Sequence, residues 1–394
     1  MPRGQYQLPR PNDHISKCFP HRPGQYIFHF HLPFSPCNLP FDSALPIIAY
    51  SKILVYNCRR RQITVDNTPQ TVPFLTAGEV LRAEFGRKIY KLALDIGCTC
   101  PTRDGTKGTR GCIFCSQAGS GEFSERFTGR QEELGRAKAR LAQKVNIENA
   151  GFIAYFQNYT NTYAPVSHLE PLFTAALRDP SVVALSIATR PDCLGPDLLD
   201  MLSRLVQKAP VFVELGLQTI HPATAAFIRR GFDLSEYDDA VRQLRVRGLR
   251  VITHLIFGLP YGGQTPVQTA AETAGDNAPR LSLETPEMML ESVKYVAERG
   301  VNGVKFQLLH VLRGTDLADL YEKGAFRTLE MDEYIDIVRR AIALLPPDVA
   351  VHRVTGDAPR KLLVAPLWST DKKRILNRIN SAFFIKENML QLTK

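Results

Sequence analysis

The sequence predicts an α/β fold: an open, partial (β/α)6 barrel of the TIM type, followed by a small α-rich subdomain. Three observations predict it. From about residue 88, short aliphatic runs alternate with amphipathic stretches, which is typical of parallel strands joined by helical crossovers. Six such strand-and-helix units fit in the chain, whereas a closed TIM barrel has eight. Beyond residue 322 the alternation gives way to longer helical stretches.

The six units follow one another at spacings of roughly 25 to 45 residues. We expect their strands at residues 89–94, 152–155, 182–188, 211–215, 251–257 and 303–308. We expect their helices at residues 132–144, 166–178, 196–207, 234–247, 286–299 and 317–321. Because parallel strands joined by right-handed crossovers all end at one edge of the sheet, ligands should gather at their carboxyl ends.

The chain divides into three predicted parts. Residues 1–75 carry eight Lys or Arg against three Asp or Glu, which predicts a poorly ordered basic extension, either an organelle-targeting leader or a dispensable addition. Residues 76–322 form the predicted core domain. Residues 323–394 form the predicted C-terminal subdomain, with a helix at 331–344, a strand at 349–354 and a helix at 375–390.

One of the six units contains a long insertion. Residues 261–284 are rich in Gly, Thr, Ala and Gln, and they separate the strand at 251–257 from its helix. Long segments without periodicity in a compact domain are commonly surface loops. We therefore expect a mobile surface insertion here.

Composition and charge exclude several classes of protein. Apolar residues make up 44% and charged residues 22% of the chain, as in ordinary globular proteins rather than disordered ones. No apolar run is long enough to cross a membrane, so we expect no membrane partner. Half of the net charge of +10 lies in residues 1–75, and the mildly basic remainder permits an RNA partner without requiring one. We expect a cytoplasmic location, or an organelle stroma or matrix if the extension is a leader.

Four of the eight cysteines lie within eighteen residues, at Cys98, Cys100, Cys112 and Cys115. This uneven distribution disfavours a secreted disulfide framework. The spacing between Cys112 and Cys115 lets two thiolates reach one metal centre, and the Gly-rich loop before them can bring Cys100 close as a third. Nearby basic residues would lower the thiol pKa values. Three clustered thiolates suit a [4Fe–4S] cluster that keeps one iron open.

Spacing alone leaves other interpretations open. A structural zinc site needs four ligands, and Cys98 could supply the fourth. A thioredoxin-like redox pair would use Cys112 and Cys115 and leave Cys100 idle. The cysteines could also be structural residues without a ligand.

Further motifs make the chain resemble a known family. The Cys-x11-Cys-x2-Cys loop, with Phe114 before its third cysteine, resembles the radical S-adenosylmethionine (SAM) superfamily. It is most similar to the YhcC-like branch, which is related to the radical SAM domain of the Elongator catalytic subunit. Five more segments resemble motifs of that branch, each at the carboxyl end of a predicted strand: residues 155–165, 189–193, 214–219, 254–260 and 310–315. The resemblance covers roughly residues 76–385.

The resemblance implies a cofactor and a reaction. Cys100, Cys112 and Cys115 would ligate one [4Fe–4S] cluster whose open iron binds SAM. Reductive cleavage of SAM would give a 5′-deoxyadenosyl radical that abstracts hydrogen from an unidentified substrate, with tRNA or a small molecule as candidates. The electron would come from a partner such as flavodoxin or ferredoxin. Two alternative functions are a zinc-stabilised RNA-binding module and an iron–sulfur electron carrier that leaves SAM intact.

The resemblance also implies a set of cofactor-binding residues at the ends of the strands. Phe114 would shield the cluster. The other members of the set are Gln157, Arg190, Gln218, Arg230, His254, Ile256, Gly258 and His310. Each has an alternative structural role: Gln157 could cap a turn, Arg190 could pair with Asp192 or Glu214, and His254 could be a core residue.

Overall fold

The structure is a computed structural model, and it describes residues 74–119, 123–261 and 281–392. The expectations for residues 1–73, and for most of the insertion at 261–284, lie outside the described residues. None of the described helices has the length and apolarity needed to span a lipid bilayer.

Twelve strands lie in the described residues. They are β1 (Ile89–Asp95), β2 (Glu125–Arg126), β3 (Gly151–Phe156), β4 (Val182–Thr189), β5 (Val211–Gln218), β6 (Arg250–Phe257), β7 (Pro260–Tyr261), β8 (Ser282–Leu283), β9 (Gly303–Leu308), β10 (Val311–Leu312), β11 (Ala350–Arg353) and β12 (Leu363–Ala365). Eight of them form one sheet in the order β11-β9-β6-β5-β4-β3-β1-β2.

Every neighbouring pair in this sheet is parallel. The six predicted strands, β1, β3, β4, β5, β6 and β9, lie next to one another in chain order, as successive βα units require. Strands β2 and β11 form the two edges, so the sheet is open. The predicted α/β class with an open parallel sheet is therefore confirmed.

Ten α-helices connect and cover the described strands. They are α1 (Ala77–Phe85), α2 (Gln131–Ala142), α3 (Val166–Ala176), α4 (Pro196–Val206), α5 (Pro222–Phe227), α6 (Leu234–Val246), α7 (Pro286–Glu298), α8 (Asp316–Glu322), α9 (Met331–Ala343) and α10 (Lys372–Leu392). Helices α4 and α7 begin with a proline at the first position, where the missing N–H costs nothing. The predicted helices all occur, with ends displaced by three residues at most.

Helix α1 precedes the predicted start of the alternation. Its first turn has a capping box: the Thr76 hydroxyl accepts from the Glu79 N–H, and the Glu79 carboxylate accepts from the Thr76 N–H. A threonine followed three residues later by glutamate is a helix-start signal that can be read from the sequence.

Strand β11 belongs to the main sheet. It pairs in parallel with β9, with Ala350 opposite Gly303 and Val351 opposite Val304. The sequence analysis placed this strand in the C-terminal subdomain, because nothing in its local pattern identifies its partner. The division between residues 322 and 323 stays a prediction.

The core lies between the sheet and the surrounding helices. Strand β3 is buried at all six positions, which fits a parallel strand covered on both faces. The Phe257 and Phe306 rings stack with centroids 5.2 Å apart, and Phe156 packs edge-on against Phe173 at 4.8 Å. These contacts fix the strand ends from which the candidate site is built.

Candidate active site

A cavity of about 480 Å3 lies at the carboxyl ends of the strands. Ten of the twelve predicted site residues line it: Cys100, Cys112, Phe114, Cys115, Gln157, Arg190, Gln218, His254, Ile256 and His310. They come from the loop after β1 and from the ends of β3, β4, β5, β6 and β9. The fold thus brings together residues that are up to about 200 positions apart in the sequence.

The loop between Cys100 and Cys112 folds back on itself. The Gly111 N–H donates to the Thr102 carbonyl at 2.8 Å, and the Lys107 N–H donates to the Pro101 carbonyl at 2.7 Å. Gly111 has a φ of 71°, and a Cβ there would lie 2.9 Å from the Arg103 Nε, so only glycine fits. This turn returns the chain to the end of β1 and places Cys112 on the same cavity as Cys100.

The three cysteine sulfurs interact with one another and with their loop. The Cys112 thiol donates a hydrogen bond to the Cys115 sulfur, which lowers the pKa of Cys115, and the Arg103 guanidinium acts in the same direction. The Thr160 hydroxyl donates to the Cys100 sulfur at 3.3 Å. The same hydrogen bond, together with burial, raises the pKa of Cys112 well above its ordinary value, so the predicted lowering of the thiol pKa values is found at Cys115 and is wrong for Cys112. Three clustered sulfurs remain a donor set that suits a metal cluster.

Among the described residues, no three His, Cys, Asp or Glu side chains converge on one point as ligands of a single ion. A cuboidal cluster binds each thiolate to a different iron atom, so it requires no such convergence. It requires thiols on one wall of a common cavity, with positive charge close by. Arg103 supplies such charge, and its Nη2 also donates to the Ser116 carbonyl at 2.7 Å.

The side of the cavity formed by β5, β6 and β9 carries polar groups that could meet a small ligand. The His310 Nε2 is buried without a hydrogen-bond partner among the described residues. Burial lowers the pKa of His310 to about 4, so the ring is neutral near pH 7. A buried polar atom left unpaired in this way is a plausible ligand contact because it gains a partner only when the cavity is filled. This part of the cavity therefore fits a polar ligand such as SAM.

Two other predicted residues on this side are held in defined positions. Gln218 has a φ of 67°, and its Nε2 lies 2.6 Å from the place where a Cβ of residue 216 would be. Gly216 therefore provides space for the Gln218 side chain, a contact that depends on the fold and that the sequence pattern does not indicate. The His254 Nε2 lies 2.9 Å from the Gln307 Oε1, and burial lowers the pKa of His254 to about 3.

Arg190 forms an ion pair with Asp192, which was one of the structural alternatives expected for it. Its Nε and Nη2 donate to the two Asp192 carboxylate oxygens at 2.9 and 2.8 Å. It still lines the cavity and interacts electrostatically with Cys100 and Cys112. A direct contact between Arg190 and SAM stays a prediction.

Arg230 and Gly258 are not among the residues that line the cavity. The Arg230 guanidinium is buried and donates to the carbonyls of Leu217, Thr219 and Phe232. A Cβ on Gly258 would lie 3.0 Å from the Leu329 side chain. Arg230 therefore holds the chain beyond β5 in place, and the missing side chain of Gly258 leaves space for Leu329.

Glu214, expected only as a possible partner of Arg190, is part of a charged group at the floor of the cavity. The Glu214 carboxylate, buried on β5, pairs with Lys91 and Lys305 and accepts from the Ser186 hydroxyl at 2.7 Å. The Lys305 Nζ also lies 3.2 Å from the Tyr155 hydroxyl. A lysine within the apolar run of β9 was the available signal, since buried lysines are rare unless paired.

Comparison with known proteins identifies the family to which the chain belongs. Residues 105–274 match the family model described as the radical SAM superfamily, and residues 301–383 match the radical SAM C-terminal domain. The chain therefore belongs to the radical SAM superfamily, and it is an enzyme of that superfamily.

Within that superfamily, similarity to individual proteins identifies the branch. The uncharacterized protein YtqA of Bacillus subtilis is 42% identical over 301 residues, which is 76% of this chain and 86% of that protein. Protein YhcC of Escherichia coli is 34% identical over 298 residues, 75% of this chain and 87% of that protein. Elongator complex protein 3 of mouse is 28% identical over 205 residues, 52% of this chain and 32% of that protein. The resemblance to the YhcC-like branch is confirmed.

Proposed function

We propose that this enzyme binds one [4Fe–4S] cluster through Cys100, Cys112 and Cys115 and uses it to cleave SAM reductively. One observation carries the proposal: three thiols from a single loop line the same cavity as six predicted SAM-binding residues from five strand ends. Membership of the radical SAM superfamily supports the same cofactors. When bound, the cluster and SAM supply the radical chemistry, a 5′-deoxyadenosyl radical that abstracts hydrogen from the substrate.

The residues of the chain would position these groups and protect them. Phe114, next to the third cysteine, would exclude water from the cluster. Arg103 and Arg190 would offset the negative charge of the thiolates. Gln157, Gln218 and His310 would hydrogen-bond the polar atoms of SAM, and Ile256 would form an apolar wall. His254, whose ring is neutral, would accept or donate a hydrogen bond.

The substrate and the electron donor belong to the same proposal. The relation to the Elongator branch makes tRNA the first substrate class to test, with small molecules second. A flavodoxin or ferredoxin would deliver the electron. Incubation with tRNA followed by mass spectrometry of its nucleosides would detect a modified base.

The test is anaerobic reconstitution with iron and sulfide, followed by addition of dithionite and SAM. We expect a brown protein that bleaches on reduction and that forms 5′-deoxyadenosine. Cys112→Ala should lose both the colour and the product. Cys98→Ala is the matched control: Cys98 is buried in the core next to the loop, burial raises its pKa to about 11, and it does not line the cavity.

Two other outcomes would contradict the proposal. A colourless protein that retains zinc and binds RNA would indicate the zinc-stabilised module. A protein that holds its cluster but leaves SAM intact would indicate an electron carrier.

A further inference from the structure

A buried carboxylate links the cysteine loop to the wall of the cavity. Asp192 follows β4 in a short 3-10 turn, Pro191–Cys193, and its side chain is only 1% exposed. On one side it accepts both hydrogen bonds from Arg190. On the other side, its Oδ2 lies 2.8 Å from the Nζ of Lys107, which belongs to the loop between the first two cysteines. A single carboxylate thus holds two cations that belong to different elements.

The Lys107 ammonium makes a second contact that fixes the same loop. It donates to the Gly231 carbonyl at 3.0 Å. Gly231 in turn lies against the loop and against Arg190, since a Cβ on it would lie 3.4 Å from Thr102 and 3.7 Å from the Arg190 Nη2. Lys107 therefore attaches the middle of the loop to Asp192 and Gly231, whereas backbone hydrogen bonds hold the two ends of the loop.

The position of Arg190 connects this attachment to the thiols. Arg190 interacts electrostatically with Cys100 and Cys112, and the Cys100 sulfur lies 3.3 Å from the Thr102 hydroxyl. Because Asp192 binds Arg190 in a bidentate manner, the guanidinium plane is fixed, and Arg190 lines the same cavity as the two cysteines. Asp192 places one negative charge against Arg190, which lines the cavity that holds the thiols.

We propose that Asp192 is a positioning residue: by pairing with Lys107 and Arg190 together, it holds the cysteine loop in its cluster-binding form and sets the charge beside the cluster. The inference rests on the proposed function, because it concerns how the chain receives that cluster. It adds a role to Asp192 and to Lys107, neither of which touches SAM or iron in this proposal.

Substitution of Asp192 and substitution of Lys107 should change the reduction potential of the cluster in opposite directions. Asp192→Asn removes a negative charge, so the added electron is less repelled and the midpoint potential of the cluster rises. Lys107→Met removes a positive charge and leaves Asp192 with one partner, so the midpoint potential falls. A merely structural loosening, which admits water to the cluster, would move the potential in the same direction in both variants.

The loop itself should loosen in both variants. In the cluster-free protein, we expect amide hydrogen exchange of residues 102–111 to be faster in Asp192→Asn, because a buried ion pair that loses one partner is strongly destabilised. After reconstitution, iron release to a chelator should be roughly tenfold faster in Asp192→Asn and less affected in Lys107→Met, since Lys107 is 34% exposed.

Asp179→Asn is the matched control. Asp179 is also a partly buried carboxylate paired with a lysine, Lys138, and it accepts from the Ser181 hydroxyl at 2.7 Å. It lies before the amino end of β4, at the opposite end of the strand from Asp192. The Asp179→Asn substitution should change neither the amide hydrogen exchange of the cysteine loop nor the midpoint potential of the cluster.

The outcomes separate this inference from the proposed function. If wild-type protein takes up no cluster, the proposed function fails, while hydrogen exchange in the cluster-free protein still decides whether Asp192 holds the loop. If the cluster loads but both variants match Asp179→Asn in exchange, iron release and potential, Asp192 has no positioning role. Shifts of the cluster midpoint potential that have the same sign in Asp192→Asn and Lys107→Met would also contradict a positioning role for Asp192.

Discussion

At the scale of single residues, the polar floor of the cavity shows how burial and pairing compete. Burial lowers the pKa of Lys305 to about 7, although the Glu214 carboxylate acts in the opposite direction. The pKa of Glu214 itself is held well below its usual value, because Lys305 and Lys91 outweigh its burial. The Lys305 ammonium and the carboxylate therefore depend on each other for their charged forms.

Lys305→Met should destabilise the protein strongly. It leaves Glu214 buried with Lys91 as its charged partner, and breaking a buried ion pair typically costs about 3–5 kcal/mol. Chemical denaturation would measure this loss in unfolding free energy. Arg339→Gln, which removes a more exposed pair with Asp336, should change it by only about 0.5 kcal/mol. Equal effects of the two substitutions would mean that Lys305 is not paired as described.

Gly216→Ala tests the position of Gln218. The added methyl would meet the Gln218 Nε2, the end of a flexible side chain, so Gln218 should move away at little cost in stability. If Gln218 binds SAM, the reconstituted enzyme should then bind SAM roughly tenfold more weakly, as expected for one lost hydrogen bond to a charged ligand. Equilibrium dialysis with labelled SAM would measure it. Unchanged binding would remove Gln218 from the proposed SAM site.

At the scale of elements, local pattern predicted most of the helices and strands. The six predicted strands are short and mostly apolar, and the helices between them have polar and apolar faces. The alternation of strand and helix is therefore visible in the sequence. Strand β11 has a similar local pattern, but its parallel pairing with β9 joins Ala350 to Gly303 across almost fifty residues. Such a partner depends on tertiary packing, which no local pattern reports.

The residues of the candidate site also differ in how well the sequence predicts their positions. The cysteines and most of the polar residues that the family resemblance implied line one cavity, because they follow strands that end at one edge of the sheet. The roles of Arg230 and Gly258 could not be predicted, since the side on which a residue beyond a strand end lies depends on the turn. The pairing of Lys91 with Glu214 was also hidden, because the two residues are 123 positions apart.

Helix α2 offers a prediction that depends on one element alone. Gly135 lies in its interior, is exposed, and has no atom within 4 Å of the place where a Cβ would be. Alanine there restricts the unfolded chain without a clash, so Gly135→Ala should raise the unfolding free energy by about 0.5–1 kcal/mol. Thermal unfolding would detect it as a higher Tm. Gly111→Ala, at a positive φ against Arg103, should lower the Tm instead.

At the scale of the whole molecule, buried neutral histidines predict sensitivity to acid. The pKa of His310 is about 4 in the folded chain, lowered by burial from an ordinary value of 6.5. Between these values the unfolded chain binds a proton that the folded chain does not, so the unfolding free energy falls as the pH falls from 6.5 to 4. One such group contributes up to about 1.4 kcal/mol per pH unit.

Comparison with His310→Gln isolates this contribution. Denaturation at several pH values should give a shallower loss of stability below pH 6.5 in the variant than in the wild type. Other groups, including the carboxylates with lowered pKa values, are present in both proteins and cancel in the difference. Identical slopes would mean that the His310 ring is free to take up a proton in the folded protein.

The short ladder between β7 and β8 has a practical consequence for protein engineering. Pro260 pairs with Leu283 and Tyr261 with Ser282, so the chain leaves the barrel and returns to it side by side, whatever lies between. Two antiparallel strands held in this way accept a tight turn as readily as a long excursion. A two-residue Asn-Gly turn, or a fluorescent reporter domain, could therefore be grafted between Tyr261 and Ser282 without a change of register on either side.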